Sequence, residues 1–202
     1  MKIKIIAGRY KGHRINTPDI ARPTLSRHRQ SLFDILESLV LDPKSESFFD
    51  NKVVLDCFSG SGALGIESLS RGAKHACFVD NNKNAISILR SNISKLNAEN
   101  FSTIIFSDIN KIKKCIEHEH DIVFLDPPYD NAKVLIMKTI KHLFKSNWIS
   151  EKSILVVETP KASGLFIREA DDFNILSTKT IGNSLFTIVK LSNFHPKTHF
   201  LL

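Results

Sequence analysis

Polar and apolar residues alternate along Lys2-Ile3-Lys4-Ile5-Ile6, the two-residue period of a half-buried strand. Gly8 and Gly12 bracket a basic turn, and Pro18 and Pro23 mark an extended linker. Leu25, Leu32, Phe33, Leu36, Leu39 and Val40 then recur at helical spacing, with Thr24 or Ser26 as the expected cap. From residue 52 the pattern changes. Short apolar runs predict strands over 53–58, 76–80, 103–106, 121–126 and 154–157. A loop and helix over 60–71 and helices over 84–96 and 134–144 fall between them. A closing strand pair, 175–180 and 185–191, flanks Gly182-Asn183. Strands alternating with helices predict an α/β fold with a mostly parallel sheet, helices on both faces and one antiparallel strand at the end. The expected division is a basic N-terminal hairpin and helix over 1–50, a main domain over 51–191 and a tail over 192–202.

Composition narrows the class. The chain has 202 residues, 42% hydrophobic and 24% charged, a globular balance that excludes a disordered or coiled-coil chain. No apolar run reaches the roughly 18 residues of a membrane span, and Met1-Lys2-Ile3-Lys4 leads into no apolar leader core. Cys57, Cys77 and Cys115 are far apart and odd in number, which reads as reduced thiols in a cytoplasmic protein. The net charge is +7, and residues 1–30 carry eight basic residues against Asp19 alone. The remainder is balanced at twenty of each sign. So concentrated a basic segment suits a phosphate backbone. Arg27, His28 and Arg29 sit where a helix dipole disfavours cations, which points to an external anion.

The first core strand runs into Asp56-Cys57-Phe58-Ser59-Gly60-Ser61-Gly62-Ala63-Leu64-Gly65. Gly60, Gly62 and Gly65 fit the spacing of a dinucleotide loop, and Asp80 follows Gly60 by 20 residues at the end of the second strand. An acid there can hold both ribose hydroxyls of any adenosine ligand. Asp56 discriminates between such ligands. A carboxylate before the turn repels a pyrophosphate but suits a cation such as S-adenosylmethionine. Asp108 ends the third strand, where it can accept from an adenine amino group or cap the turn that follows.

The fourth strand ends in Asp126-Pro127-Pro128-Tyr129. Two prolines hold the backbone extended and remove two donors. The Asp126 carboxylate and the Pro127 carbonyl can then accept both hydrogens of one exocyclic amino group. Tyr129 offers a flat face on which the base stacks.

Taken in order, Asp56, Gly60-Ser61-Gly62, Asp80, Asp108 and Asp126-Pro127-Pro128-Tyr129 resemble the Rossmann-like, seven-stranded class I methyltransferases. The last motif resembles their amino-group methylating branch. Ile6-Ala7-Gly8-Arg9-Tyr10-Lys11-Gly12 and Arg22-Pro23-Thr24, with Arg27, Arg29 and Leu32-Phe33, are similar to the RsmD-type bacterial 16S rRNA guanine-N2 methyltransferases. The resemblance implies metal-free methylation of one guanine amino group of 16S rRNA, within the 30S subunit or an assembly intermediate. It implies that Asp56, Phe58, Gly60, Ser61, Gly62, Asp80, Asn81 and Asp108 hold S-adenosylmethionine. Asp126, Pro127, Pro128 and Tyr129 would hold the base, and Arg9, Lys11, Arg14, Arg22, Thr24, Arg27 and Arg29 the RNA. The chain is expected to act as a monomer and away from membranes. Two departures touch substrate details: Asn82 stands where the family often has a second acid, and Leu25-Ser26-Arg27 where it commonly has Thr-Asp/Glu-Arg.

Other readings compete. A DNA adenine-N6 methyltransferase uses the same four-residue motif but needs room for a domain that reads duplex sequence, and only about 50 residues precede the core. A non-catalytic nucleic-acid-binding protein has no need of Asp126 or the loop glycines. A nicotinamide dehydrogenase fits the glycine spacing, but no hydride-transfer partner is evident. His195 and His199 read as solvated tail residues, Cys57 as packing, and Glu158 has no assigned role.

Overall fold

The computed structural model describes residues 1–18, 25–40, 45–116, 119–128, 132–164, 167, 172–192 and 194, with the backbone alone of residues 25 and 26. Arg22, Thr24, Tyr129, His195 and His199 lie outside the described residues. Nine strands and four helices are described. A two-stranded sheet pairs β1 (Lys2–Lys4) with β2 (Arg14–Asn16). The strands β3 (Val53–Asp56), β4 (His75–Asp80), β5 (Ser102–Phe106), β6 (Ile122–Leu125), β7 (Ile154–Pro160), β8 (Phe173–Ile181) and β9 (Ser184–Leu191) form a seven-stranded sheet in the order β5-β4-β3-β6-β7-β9-β8. The helices are α1 (Leu25–Glu37), α2 (Ala63–Ser70), α3 (Lys83–Lys95) and α4 (Ala132–Lys145). The chain divides into two compact units, Met1–Ile109 and Asn110–Leu202.

In the first unit β3, β4 and β5 run parallel, with Leu55 opposite Cys77 and Phe78 opposite Ile104. Val54, Leu55, Ala76, Phe78 and Val79 are wholly buried, as expected of a sheet covered on both faces. Strand β3 is shorter than expected because the chain leaves the sheet after Asp56 to form the glycine loop. The first strand is also short. The N–H groups of Ile6 and Ala7 turn away and donate to the Glu67 carboxylate at 2.9 and 3.1 Å.

Glu67, 1% exposed in the middle of α2, is the anchor of the N-terminal extension. Besides those two amides it meets Arg71 Nε at 3.0 Å and Arg29 Nε at 3.7 Å. Arg71 also pairs with Glu37 at 3.2 Å, and its guanidinium lies 4.9 Å over the Phe33 ring. Helix α1 is therefore fastened along α2 by a chain of buried charges rather than by apolar packing alone. A carboxylate this deep is tolerable only because it is met by cations and backbone donors.

In the second unit β6 is buried along its whole length and runs parallel to β7, with Leu125 opposite Val157. Strand β9 enters between β7 and β8 and is antiparallel to both. Strand β7 extends three residues beyond expectation, to Pro160, because β9 continues to pair with it. The helix over 134–144 is longer by two residues at its start and one at its end. His120 leads into β6 stacked on Trp148 at 5.2 Å, and its carbonyl accepts from Ser153 Oγ. Phe194, in the segment read as a tail, is buried against Phe144 and Phe173. Among the described residues no helix is long and apolar enough to cross a membrane.

Candidate active site

Strand β3 delivers Asp56 to the mouth of the glycine loop. The loop folds tightly because glycine adopts left-handed backbone at Gly60 (φ 53°) and Gly62 (φ 84°). Gly62 also starts α2 and packs so closely that a Cβ would lie 2.4 Å from Leu89. Gly65 lies against the Phe78 ring, 2.3 Å from where its Cβ would be. Those two glycines let helix meet sheet. Gly60 differs: a Cβ there would meet nothing within 4 Å, so it faces open space.

Two carboxylates hold the loop and the first turn of α2. Asp80 accepts the Gly60 N–H at 2.7 Å and the Asn82 N–H at 2.8 Å. A carboxylate has about four acceptor positions, so two remain for ribose hydroxyls. Asp56, 3% exposed, accepts the Gly65 N–H at 3.0 Å. Burial is the main reason its pKa rises to about 7, with the Gly65 bond opposing and Asp80 adding to the rise. The residue expected to face a cationic ligand thus also holds the first turn of α2. Burial and the Asp56 carboxylate push the Cys57 thiol up, so it is a packing group and not a nucleophile.

Phe58 is half-buried beside the loop, and Ser61 is buried. Asn81 is exposed, and Asn82 caps α3 by accepting from the Asn84 and Ala85 N–H groups. An amide caps a helix as well as a carboxylate does, which accounts for Asn82 at that position. Asp108 follows Ser107, whose N–H donates to the Asp80 carbonyl at 3.1 Å. That bond brings the ends of β4 and β5 together, with Asp108 half-buried beside them.

One loop-holding residue escaped sequence reasoning. Asn92, fully buried on α3, donates to the Ser61 carbonyl and the Asn16 carbonyl, both at 2.9 Å, and accepts the Asn16 N–H at 2.7 Å. A lone Asn on an apolar helix face gave no signal of such partners.

In the second unit, β6 carries Asp126, half-buried, into Pro127, buried, and Pro128, exposed. The four buried residues of β6 fix where this turn begins.

The basic candidates divide. Arg14 is exposed on β2, and Arg27 is exposed in the first turn of α1. Arg29 is not available to an external anion. It is 5% exposed, and its guanidinium is committed to the Lys4 carbonyl at 2.5 Å and to Glu67. Burial lowers its pKa against the pull of Glu67. The cation misplaced at the helix start is thus answered inside the protein. Helix α1 runs from Leu25, which places Ser26 within it, and Thr24 lies outside the described residues.

The open space at Gly60, the spare acceptors of Asp80 and the buried Ser59 hydroxyl, which has no partner among the described residues, fit an adenosine-type ligand with polar groups to offer. Sheet order, loop and β4 acid together define a class I methyltransferase, with S-adenosylmethionine as methyl donor. The chain belongs to the family described as Conserved hypothetical protein 95, which matches residues 3–190. It is 35% identical over 169 residues to Ribosomal RNA small subunit methyltransferase D of Buchnera aphidicola subsp. Acyrthosiphon pisum, covering 82% of each chain. It is 32% identical over 166 residues to the protein of that name from Escherichia coli K12, covering 81% of this chain and 78% of that one. The solved structure of the putative methyltransferase yhhF from Escherichia coli matches with a TM-score of 0.78 at 27% identity, covering 95% of this chain and 98% of that one.

Proposed function

We propose that this enzyme methylates the exocyclic N2 amino group of one guanine in small-subunit rRNA, within the 30S subunit or an assembly intermediate. The observation that carries the reading is the Asp126-Pro127-Pro128-Tyr129 motif that follows a fully buried strand, in a chain similar along most of its length to small-subunit rRNA methyltransferases. When bound, S-adenosylmethionine supplies a methyl group already activated on a sulfonium sulfur. The protein must therefore position and desolvate the nucleophile rather than generate a strong one.

The amino nitrogen of guanine is a poor nucleophile because its lone pair is delocalised into the ring. The Asp126 carboxylate and the Pro127 carbonyl accept its two hydrogens and draw it towards tetrahedral geometry. Tyr129 stacks on the base, and Pro128 holds the turn extended. Asp126 takes the proton that the nitrogen sheds and passes it to water. Asp80 would hold the cofactor ribose, the Gly60–Gly62 backbone would give the cofactor room, and Asp108 would accept from the adenine amino group. Arg14 and Arg27, with Arg22 and Thr24, draw in RNA phosphates.

Asp126→Asn tests the assignment. It exchanges one acceptor oxygen for a donor, so turnover should fall at least about a hundredfold, within the range of positioned acid–base groups. Affinity for S-adenosylhomocysteine should stay near wild type. Turnover near wild type would remove Asp126 from the mechanism.

A further inference from the structure

The fold carries the basic N-terminal turn away from the glycine loop. The Arg9 N–H donates to the carbonyl of Ser70, the last residue of α2, at 2.6 Å, and the Tyr10 N–H donates to Ser70 Oγ at 2.9 Å. The glycine loop lies at the other end of that helix, about 12 Å away at 1.5 Å per residue. Three parallel strands begin on the Ser70 side, and the residue before each is exposed: Lys52 before β3, Lys74 before β4 and Phe101 before β5. The Lys74 N–H donates to the Lys52 carbonyl at 2.8 Å, so the two lysines leave neighbouring strand ends together. From Lys74 to Asp80 along β4 is about 20 Å.

This edge is more than a solvated charge run. The Arg9 guanidinium lies 5.1 Å over the Phe101 ring and 5.9 Å from the Tyr10 ring centre. Phe101 remains 38% exposed. A stacked guanidinium keeps its edge donors for phosphate, and the ring keeps area for a base. Gly8 fixes the turn rigidly, since a Cβ there would lie 1.6 Å from the Ser70 oxygen. The carboxylates of Glu37 and Glu67 are already taken by Arg29, Arg71 and backbone amides, Asp50 beside Gly72 accepts the Glu46 and Ser47 N–H groups, and Glu99 is the exposed acid beside Phe101.

We infer that this strand-start edge is a second RNA-binding surface, in which Arg9, Lys11 and Lys74 hold phosphates and Phe101 takes an unstacked base. It rests on the proposed RNA substrate and narrows it. An RNA that reaches both this edge and the opposite strand ends, where Asp80 would hold the cofactor, must span at least about 20 Å. The substrate is then an RNA that extends at least that far from its target base, and a fragment too short to do so engages one edge.

The test compares wild type with the Arg9→Glu/Lys74→Glu double variant, binding a full-length 16S rRNA transcript across a KCl series. The dissociation constant at 100 mM KCl should rise about tenfold, and the slope of log K against log salt should fall by about 1.5, as for two lost phosphate contacts. S-adenosylhomocysteine affinity and thermal midpoint should not move. Phe101→Ala should weaken binding with the slope kept, and Glu99→Lys should tighten it. An unchanged constant and slope in a folded double variant would overturn the surface. Weakened binding to 30S subunits with unchanged binding to naked 16S rRNA would also overturn it, by assigning the edge to a ribosomal protein. If wild type binds 16S rRNA through this edge but transfers no methyl group to it or to 30S subunits, the surface stands and the proposed reaction falls.

Discussion

The side-chain amide of Asn92 donates to the Ser61 carbonyl in the glycine loop while it holds both backbone groups of Asn16 in the N-terminal hairpin. One buried residue on α3 thus fastens the cofactor loop and the basic extension at once. Asn92→Ala leaves three backbone groups without this partner, of which the buried Ser61 carbonyl costs the most, about 1–3 kcal/mol before relaxation. Stability should fall, and S-adenosylhomocysteine affinity should drop about fivefold below the melting range, roughly 1 kcal/mol of lost loop order. Calorimetric titration reads the affinity and denaturant unfolding reads the stability. Phe194→Ala serves as the control, since it should destabilise the second unit with affinity kept. Equal affinity loss in both variants would reduce Asn92 to a stability residue.

Arg29 separates two accounts of the basic extension. Held by the Lys4 carbonyl and Glu67, it should act on stability. Arg29→Ala leaves Glu67 partly uncompensated and should cost about 3 kcal/mol, with the salt slope of RNA binding unchanged. A reduced slope at full stability would return Arg29 to the RNA surface.

Two glycine substitutions should behave in opposite ways. Gly8→Ala places a methyl group in the Ser70 carbonyl and should undock the hairpin turn, seen as a large loss of thermal stability. Gly60→Ala meets no atom and carries only the left-handed backbone cost of about 1–2 kcal/mol, yet its methyl enters the open space before the loop. Its main effect should be on cofactor affinity, measured by titration. A Gly60→Ala protein with wild-type affinity would move the cofactor away from this loop.

Asp56 gives the cofactor-free protein a pH signature. Its folded pKa is raised from 3.8 to about 7, chiefly by burial. The folded state therefore retains a proton that the unfolded state releases. Stability from this group is fully present below about pH 4, is lost as pH rises to about 7, and is flat above. Asp56→Asn should be more stable than wild type at pH 8, by on the order of 3 kcal/mol, and similar to it at pH 4. Unfolding curves at the two pH values check this, and a pH-independent difference would contradict it.

Much of this site was legible because its signals are local. The loop glycines, the acid 20 residues on and the Asp-Pro-Pro-Tyr turn each follow a strand that its own apolar run announces. What stayed hidden depends on partners far along the chain. Glu67 receives amides 60 and 61 residues away, and Asn92 reaches Asn16 across 76. Arg29 sits in a basic run, and nothing near it in sequence shows that Glu67 is its anion. The direction in which the hairpin runs was equally unreadable. Only the docking of Gly8 on Ser70 places Arg9 and Lys11 at the end of α2 remote from the glycine loop.

The central claim is most directly tested by transfer of a tritiated methyl group from S-adenosylmethionine to unmodified 30S subunits, free 16S rRNA and duplex DNA, with nucleoside analysis of the product. The account predicts N2-methylguanosine from the subunit or the rRNA and none from DNA. N6-methyladenine in DNA, or another methylated nucleoside in the rRNA, would contradict it.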